Sequence, residues 1–287
     1  MFKIKTLAAA CGFAVLASPA WSAIITPQLP DGNVTFEDDS AEVWIDANSN
    51  GVLDVGDRLR AILKIPSFFT PTTAPTNFGG ELSGISEIEV ASAVAAGPGL
   101  FNYTFKPSAA FEAEYGAGVM LALYEDDVAE FARSGASCDS AADVAAGGTC
   151  EQLITNGDLW LTAGFTGDLD EYWVALGAPA DPSIAALFGP DENLPGGFNF
   201  GLGLIENNTG SEWLETFFTS PFFQDPLTGN NLVQLRGSGS LQGVAGENTG
   251  YDLYDDFQFT MNRVPEPGSL ALVGLAMLGL AVARKRA

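Results

Sequence analysis

Glu42-Val43-Trp44-Ile45, the polar run Asp46-Ala47-Asn48-Ser49-Asn50-Gly51-Val52-Leu53-Asp54-Val55-Gly56-Asp57, and Arg58-Leu59-Arg60-Ala61-Ile62-Leu63-Lys64-Ile65 together decide the fold class. Both flanks are short, carry large or β-branched apolar residues and partly alternate, which is the period of a strand rather than of a helix. The Asn/Gly/Asp run between them breaks the chain sharply. The unit therefore reads as strand, turn, strand.

The same texture continues outward along the chain. Further strands are expected at Asn33–Phe36, Phe101–Phe105, Gly118–Tyr124, Leu159–Phe165, Tyr172–Ala175, Phe198–Leu204, Leu232–Gly239 and Phe257–Asn262. Helix candidates are short: Asp127–Arg133, Ser183–Phe188 and Glu212–Phe218. Pro66–Gly80, Ser134–Thr149 and Pro179–Gly197 read as loops, and no fixed-period repeat is present. Many short strands with frequent turn signals predict an all-β fold, an antiparallel β-sandwich or jelly-roll-like single domain with a few short helices. That domain is expected over residues 24–263.

The ends differ from this body. Residues 1–23 have the build of a signal peptide: Lys3 and Lys5, an apolar stretch from Leu7 to Leu16, then small residues from Ser18 to Ala23, with cleavage by signal peptidase expected near Ala20 or Ser22. The apolar stretch is too short to stay as a membrane anchor. A lipoprotein reading centred on Cys11 fits poorly, since the apolar stretch would end only six residues after Lys5.

Residues 264–287 hold Val264-Pro265-Glu266-Pro267, an apolar run from Leu270 to Val282, and the basic stop Arg284-Lys285-Arg286. The run is shorter than the roughly 18 to 20 residues of a comfortable membrane helix, and the basic cluster favours the cytoplasmic side. In their order these three parts resemble the PEP-CTERM sorting signal. The resemblance implies a transient membrane-spanning C-terminal helix, recognition and cutting by an exosortase, and a Gram-negative cell surface or extracellular matrix rich in exopolysaccharide. A plain anchor helix is the simpler alternative.

Charge and composition narrow the function further. Between residues 24 and 263 seven lysines and arginines face 35 acidic residues, a net charge near −28. Such a body repels nucleic acid and anionic polysaccharide unless a cation intervenes. The chain has no histidine, which excludes Ser-His-Asp and Cys-His catalysis and His-ligated metals. Cys138 and Cys150 remain after the leader is lost, and an oxidising compartment favours a disulfide between them, worth about 2 to 3 kcal/mol.

The segment Asp46 to Asp57 carries the strongest chemical signal. Asp46, Asn48, Asn50 and Asp54 put oxygens at the first, third, fifth and ninth places, Gly51 stands at the sixth, and Asp57 at the twelfth. Alternate side chains and the Val52 carbonyl can then surround one Ca2+. The pattern resembles the calcium loop of EF-hands and dockerins, with Asp57 in place of the usual Glu and strands in place of paired helices. A metal-free Asn/Gly turn is the alternative.

Weaker constellations complete the reading. Glu125-Asp126-Asp127, Asp168 with Asp170 and Glu171, and Asp252 with Asp255 and Asp256 lack defined ligand spacing and suit solvated strand ends. Trp160, Tyr172, Trp173 and Trp213 suit either a sugar-stacking platform or a core. The sequons at Asn33, Asn102 and Asn207 are incidental in a bacterial protein.

The expected function is a non-enzymatic exported protein of biofilm, floc or exopolysaccharide, calcium-stabilised, with extracellular polysaccharide or matrix components as partners. A carbohydrate-binding module and a carboxylate-dependent glycan-active enzyme are the alternatives.

Overall fold

The computed structural model describes residues 24–97, 100–131, 138, 143, 145–177, 197–218, 231–243 and 253–264. A short 3-10 turn, Thr26–Gln28, precedes fourteen strands and two helices. The strands are β1 Gly32–Ile45, β2 Arg58–Phe69, β3 Thr76–Asn77, β4 Glu81–Gly97, β5 Leu100–Pro107, β6 Val119–Asp126 and β7 Asp158–Gly164. They continue with β8 Tyr172–Gly177, β9 Gly197–Asn207, β10 Trp213–Leu214, β11 Thr216–Phe218, β12 Asn231–Val233, β13 Leu235–Gly243 and β14 Leu253–Arg263. Helix α1 spans Ala109–Tyr115 and α2 spans Thr149–Ile154.

The fold is all-β and antiparallel, as the alternation predicts, but it is a closed barrel and not a sandwich or jelly roll. Eight strands form the ring in the order β2, β1, β14, β13, β9, β7, β6, β4, and pairing of β2 with β4 from Arg58↔Glu89 to Lys64↔Ser83 closes it. The sandwich expectation failed because β4 has no strand signature. Its sequence Glu81-Leu82-Ser83-Gly84-Ile85-Ser86-Glu87 is rich in small and acidic residues of low β propensity.

Strand length makes the closure possible. β4 pairs with β6 over residues 81–86 and with β5 over 88–97. β9 likewise pairs with β8 over residues 197–201 and with β7 over 203–207. The gap between β4 and β9 is thus spanned by two strand pairs, β6 with β7 and β5 with β8.

Alternation then sorts the side chains. Leu59, Ala61, Leu63 and Ile65 of β2 join Leu82, Ile88 and Val90 of β4 in the main core. Phe36 stacks on Phe259 at 4.7 Å between ring centres and meets Trp160 edge-on at 5.8 Å. Ile62 and Ile85 belong to a second cluster with Phe111 of α1, Ile154 of α2 and the disulfide between Cys138 and Cys150. The two helices therefore cover part of the barrel's outer face, and the disulfide sits in that cover.

Charge is buried under the same cover. The Arg60 guanidinium reaches Glu87 at 2.9 Å and Glu151 of α2 at 2.8 Å, and it lies over the Phe111 ring. Glu87 also takes Arg58 at 2.7 Å and the Ser108 hydroxyl. Burial pushes the Glu87 carboxyl up, but the Ser108, Arg60 and Arg58 hydrogen bonds together outweigh it and hold it below its ordinary 4.5. A depressed folded value gives stability that is full above about pH 4.5 and lost as pH falls through the folded value.

The helix expected at Glu212–Phe218 is instead β10 and β11. The described part of Asp127–Arg133 contains no helix, and Ser183–Phe188 lies outside the described residues. The expected loop at Pro66–Gly80 contains the end of β2 and all of β3.

Replacing Arg60 alone by Leu takes the shared buried guanidinium from Glu87, which keeps Arg58 and Ser108, and from Glu151, which is left without a cation at hydrogen-bond distance. The expected loss is about 3 to 5 kcal/mol in urea unfolding at neutral pH, shrinking as pH falls below 4.5 and the Glu87 carboxyl takes up a proton.

Candidate functional site

Residues 46–57 connect β1 to β2, the pairing Ile45↔Arg58 setting both ends of the loop at one end of the barrel. Its conformation is written by a ladder of side-chain acceptors. Asp46 accepts the amides of Asn48 at 3.2 Å and Gly51 at 2.8 Å, Asn48 accepts that of Asn50 at 3.0 Å, and Asn50 accepts that of Val52 at 2.7 Å. Gly51 takes φ +74°, where a side chain would be strained, and Ser49 takes φ 59°. The Gly51 amide leads the causes that hold the Asp46 carboxyl below its ordinary value, ahead of a weaker opposing effect of desolvation.

Asp54 sits opposite this ladder. The Asn48 amide nitrogen donates to both its oxygens, at 3.0 and 3.2 Å, and the Asn50 nitrogen donates at 2.6 Å. Both donors are neutral, so the Asp54 charge is left uncompensated within the loop. A cation entering here would displace two amide donors and find Asp46, Asn48, Asn50, Asp54 and the Val52 carbonyl around it, a hard all-oxygen set suited to Ca2+.

Asp57 does different work. It is fully buried, and its carboxylate accepts the amides of Ala47 at 2.9 Å and Asp54 at 3.0 Å and the Trp44 indole N–H at 3.2 Å. The carboxylate expected to close the ion shell thus ties together the two ends of the loop. Two backbone bonds fasten it to β4, Gly56 N–H to the Val90 carbonyl at 3.0 Å and Val90 N–H to the Asp57 carbonyl at 2.8 Å, while Leu53 enters the main core. Among the described residues no group of three His, Cys, Asp or Glu side chains converges as a metal cluster, so an ion here would depend on the amide and carbonyl oxygens.

Three of the aromatic candidates, Trp160, Trp173 and Trp213, lie in the main core, while Tyr172 is buried outside it beside Gly201. Trp160, Tyr172, Trp173 and Trp213 are all buried; Trp160 meets Trp213 at 6.0 Å, and Trp173 stacks on Phe200 at 4.6 Å. They are buried side chains and not an exposed sugar platform. The acidic cluster at 168–171 is dispersed into local bonds, Asp170 accepting Leu232 N–H at 2.7 Å and Glu171 capping Thr166 and Gly167, whereas Glu125, Asp126 and Asp127 line one open cavity with Asp158. Asp252 and the side chains of Asp255 and Asp256 lie outside the described residues. Sequence reasoning missed the buried Arg60, Glu87 and Glu151 group, because no local spacing links residues on β2, β4 and α2.

The leader at residues 1–23 lies outside the described residues, as does the tail from Pro265 onward. Val264, the last described residue, donates its N–H to the Glu212 carbonyl at 2.9 Å, at the end of β14. The barrel therefore finishes where the tail begins.

Residues 263–286 match the PEP-CTERM protein-sorting motif. The tail is a PEP-CTERM sorting signal. The motif implies export, anchoring in a membrane before processing, and an exosortase as processing partner. No helix among the described residues is long and apolar enough to cross a membrane.

No curated protein matches the chain. A solved structure described as a nonspecific heme-binding cyclase that catalyses a cycloaddition in neoabyssomicin biosynthesis aligns at 11% identity, covering 88% of this chain and 80% of that one, with a TM-score of 0.20. A likeness that slight carries no functional argument.

The loop's two carboxylate roles separate by mutation. Asp57→Ala should cost about 2 to 4 kcal/mol in chelator, since three donors lose a buried charged acceptor. Asp54→Ala should cost under about 1 kcal/mol there, so urea unfolding in chelator tells a structural carboxylate from an exposed one.

Proposed function

We propose that this is a non-enzymatic protein of the bacterial cell surface or extracellular matrix, released or held there after exosortase processing, with a structural or adhesive role in biofilm, floc or exopolysaccharide. The observation that carries the reading is the sorting motif at residues 263–286. The absence of histidine and the strong negative charge support it, since they leave few catalytic options and favour association through cations over direct contact with anionic polymers.

Calcium belongs to this proposal as a stabiliser of the barrel end. Binding at Asp46, Asn48, Asn50, Val52 and Asp54, beside the buried Asp57, would draw together a loop already pinned to β4. A ligand bound only by the folded state raises stability with its concentration above its dissociation constant. Extracellular matrices supply calcium at concentrations that even a weak loop can use.

A carbohydrate-binding reading loses its chief support because its four rings are buried.

Two experiments test the proposal. Fractionating cells that express the full chain or a chain lacking residues 264–287 should show that only the full chain passes through a membrane-held form to the surface; identical distributions would contradict the sorting role. Calorimetric titration of the exported protein with calcium should give heat that Asp46→Ala and Asp54→Ala abolish, and heat unchanged by both would remove calcium from the account.

A further inference from the structure

The loop between β1 and β2 offers a cation the oxygens of Asp46, Asn48, Asn50, Asp54 and the Val52 carbonyl, but not its twelfth-place carboxylate. Asp57 is spent on the amides of Ala47 and Asp54 and on the Trp44 indole. Calcium takes about six to eight oxygens, and in such loops the twelfth residue closes the shell. Here the closing oxygens must come from elsewhere.

The loop also forms one side of an open cavity of about 440 Å³, set against β4 and β5. Asn48, Val52 and Asp54 line it from the loop, so the residues that would hold the ion face this space as well. The rest of the wall is apolar, with Val55 from the loop, Ala93 from β4 and Phe101 from β5. Asp54 is the one ionised side chain in that lining. Val52 and Val55 are 37% and 61% exposed, which leaves the mouth of the cavity open to solvent.

A buried phenol lies behind the same wall. Tyr103 is 2% exposed, and its hydroxyl has no hydrogen-bond partner. Ala93 stands opposite it in the pairing of β4 with β5, and the Phe101 ring lies 6.1 Å from its own. Burial first, and the Asp54 charge second, push the phenol up to about 12, so it keeps its proton as a donor. Its neighbours thus include both the apolar and the ionised sides of the cavity. A buried hydroxyl without a partner is unfavourable, and a ligand oxygen that meets it recovers the loss.

The two halves of the lining set the chemistry of the occupant. Oxygens along one side and an aromatic and aliphatic wall along the other match a small ring with hydroxyls on its edge and C–H groups on its face. The volume is at the small end of ligand cavities, which suits one sugar ring, and the open mouth lets a polymer continue into solvent. The strong negative charge of the chain disfavours phosphate-bearing or carboxylate-bearing molecules.

Resting on the calcium reading above, we propose that this cavity binds one neutral hexose ring of a polysaccharide, two adjacent hydroxyls completing the oxygen shell of the loop's cation while the C–H face lies on Phe101 and Ala93. Asp54 and Asn48 serve the ion and the sugar together, and the Tyr103 hydroxyl donates to a further sugar oxygen. The withdrawal of Asp57 to tie the loop is then what leaves the shell open to a ligand.

The test uses the full exported protein, titrated first with calcium chloride by calorimetry. Methyl glucoside, methyl mannoside and methyl galactoside, which differ in the arrangement of adjacent hydroxyls, are then added while protein NMR signals are followed, once in calcium and once in chelator. At least one should bind at about millimolar concentration in calcium and weaken about tenfold or more in chelator. Tyr103→Phe and Phe101→Ala should leave the calcium heat unchanged and each weaken the sugar about fivefold or more. Tyr103→Phe should unfold no earlier than the parent on heating, since it removes an unpaired hydroxyl. Calcium heat without binding of any of the three sugars, binding equally tight in chelator, or binding that both variants retain overturns the proposal alone. Absence of calcium heat overturns the calcium reading and the proposal together.

Discussion

Pairing of β2 with β4 is the contact on which the rest of the structure depends. From Arg58↔Glu89 to Lys64↔Ser83 these strands exchange the hydrogen bonds that turn an open antiparallel sheet into a ring. A closed barrel has no exposed edges along its main circuit and so offers little for edge-to-edge association with a second sheet. The same pairing sets Arg60 beside Glu87, so the outer helical cover is docked by charge on strands that closure has already aligned.

The barrel's two ends are finished differently. At the start of β1 the turn Thr26–Gln28 seals the core with Ile25 and Leu29, and at the end of β1 the loop 46–57 seals it with Leu53. Both seals rely on a buried carboxylate that accepts backbone amides: Glu125 for the entering chain and Asp57 for the loop. Carboxylates in this chain are therefore not only a solvated coat. Some replace strand pairing at places where the backbone leaves the sheet and would otherwise hide unpaired N–H groups.

Legibility in the sequence followed how local each signal was. The ten expected strands all fall on strands, because alternation over four to eight residues is a local property, and Asn33–Phe36 and Glu42–Ile45 proved to be the two ends of the single strand β1. β4 escaped because its burial comes from both faces being covered, the inner by the core and the outer by α1 and α2; Ser83, Gly84 and Ser86 are small where space is short. Without it the ring could not be deduced, and a sandwich followed. The loop at 46–57 was legible as a sharp Asn/Gly/Asp turn between two strands because its spacing is contiguous, whereas its ladder of side-chain acceptors and the burial of Asp57 under Trp44 emerge only in the fold, with β4 passing nearby. The sorting motif was legible because its order of proline motif, apolar run and basic stop is written along the chain itself.

Amide hydrogen exchange across β2 and β4 tests the closed barrel most directly. The account predicts that the amides paired between residues 58–64 and 83–89 exchange only through global unfolding, as slowly as those shared by β1 and β14. Fast exchange along one side of β4, with β1 and β14 still protected, would mark an open edge there and contradict the ring.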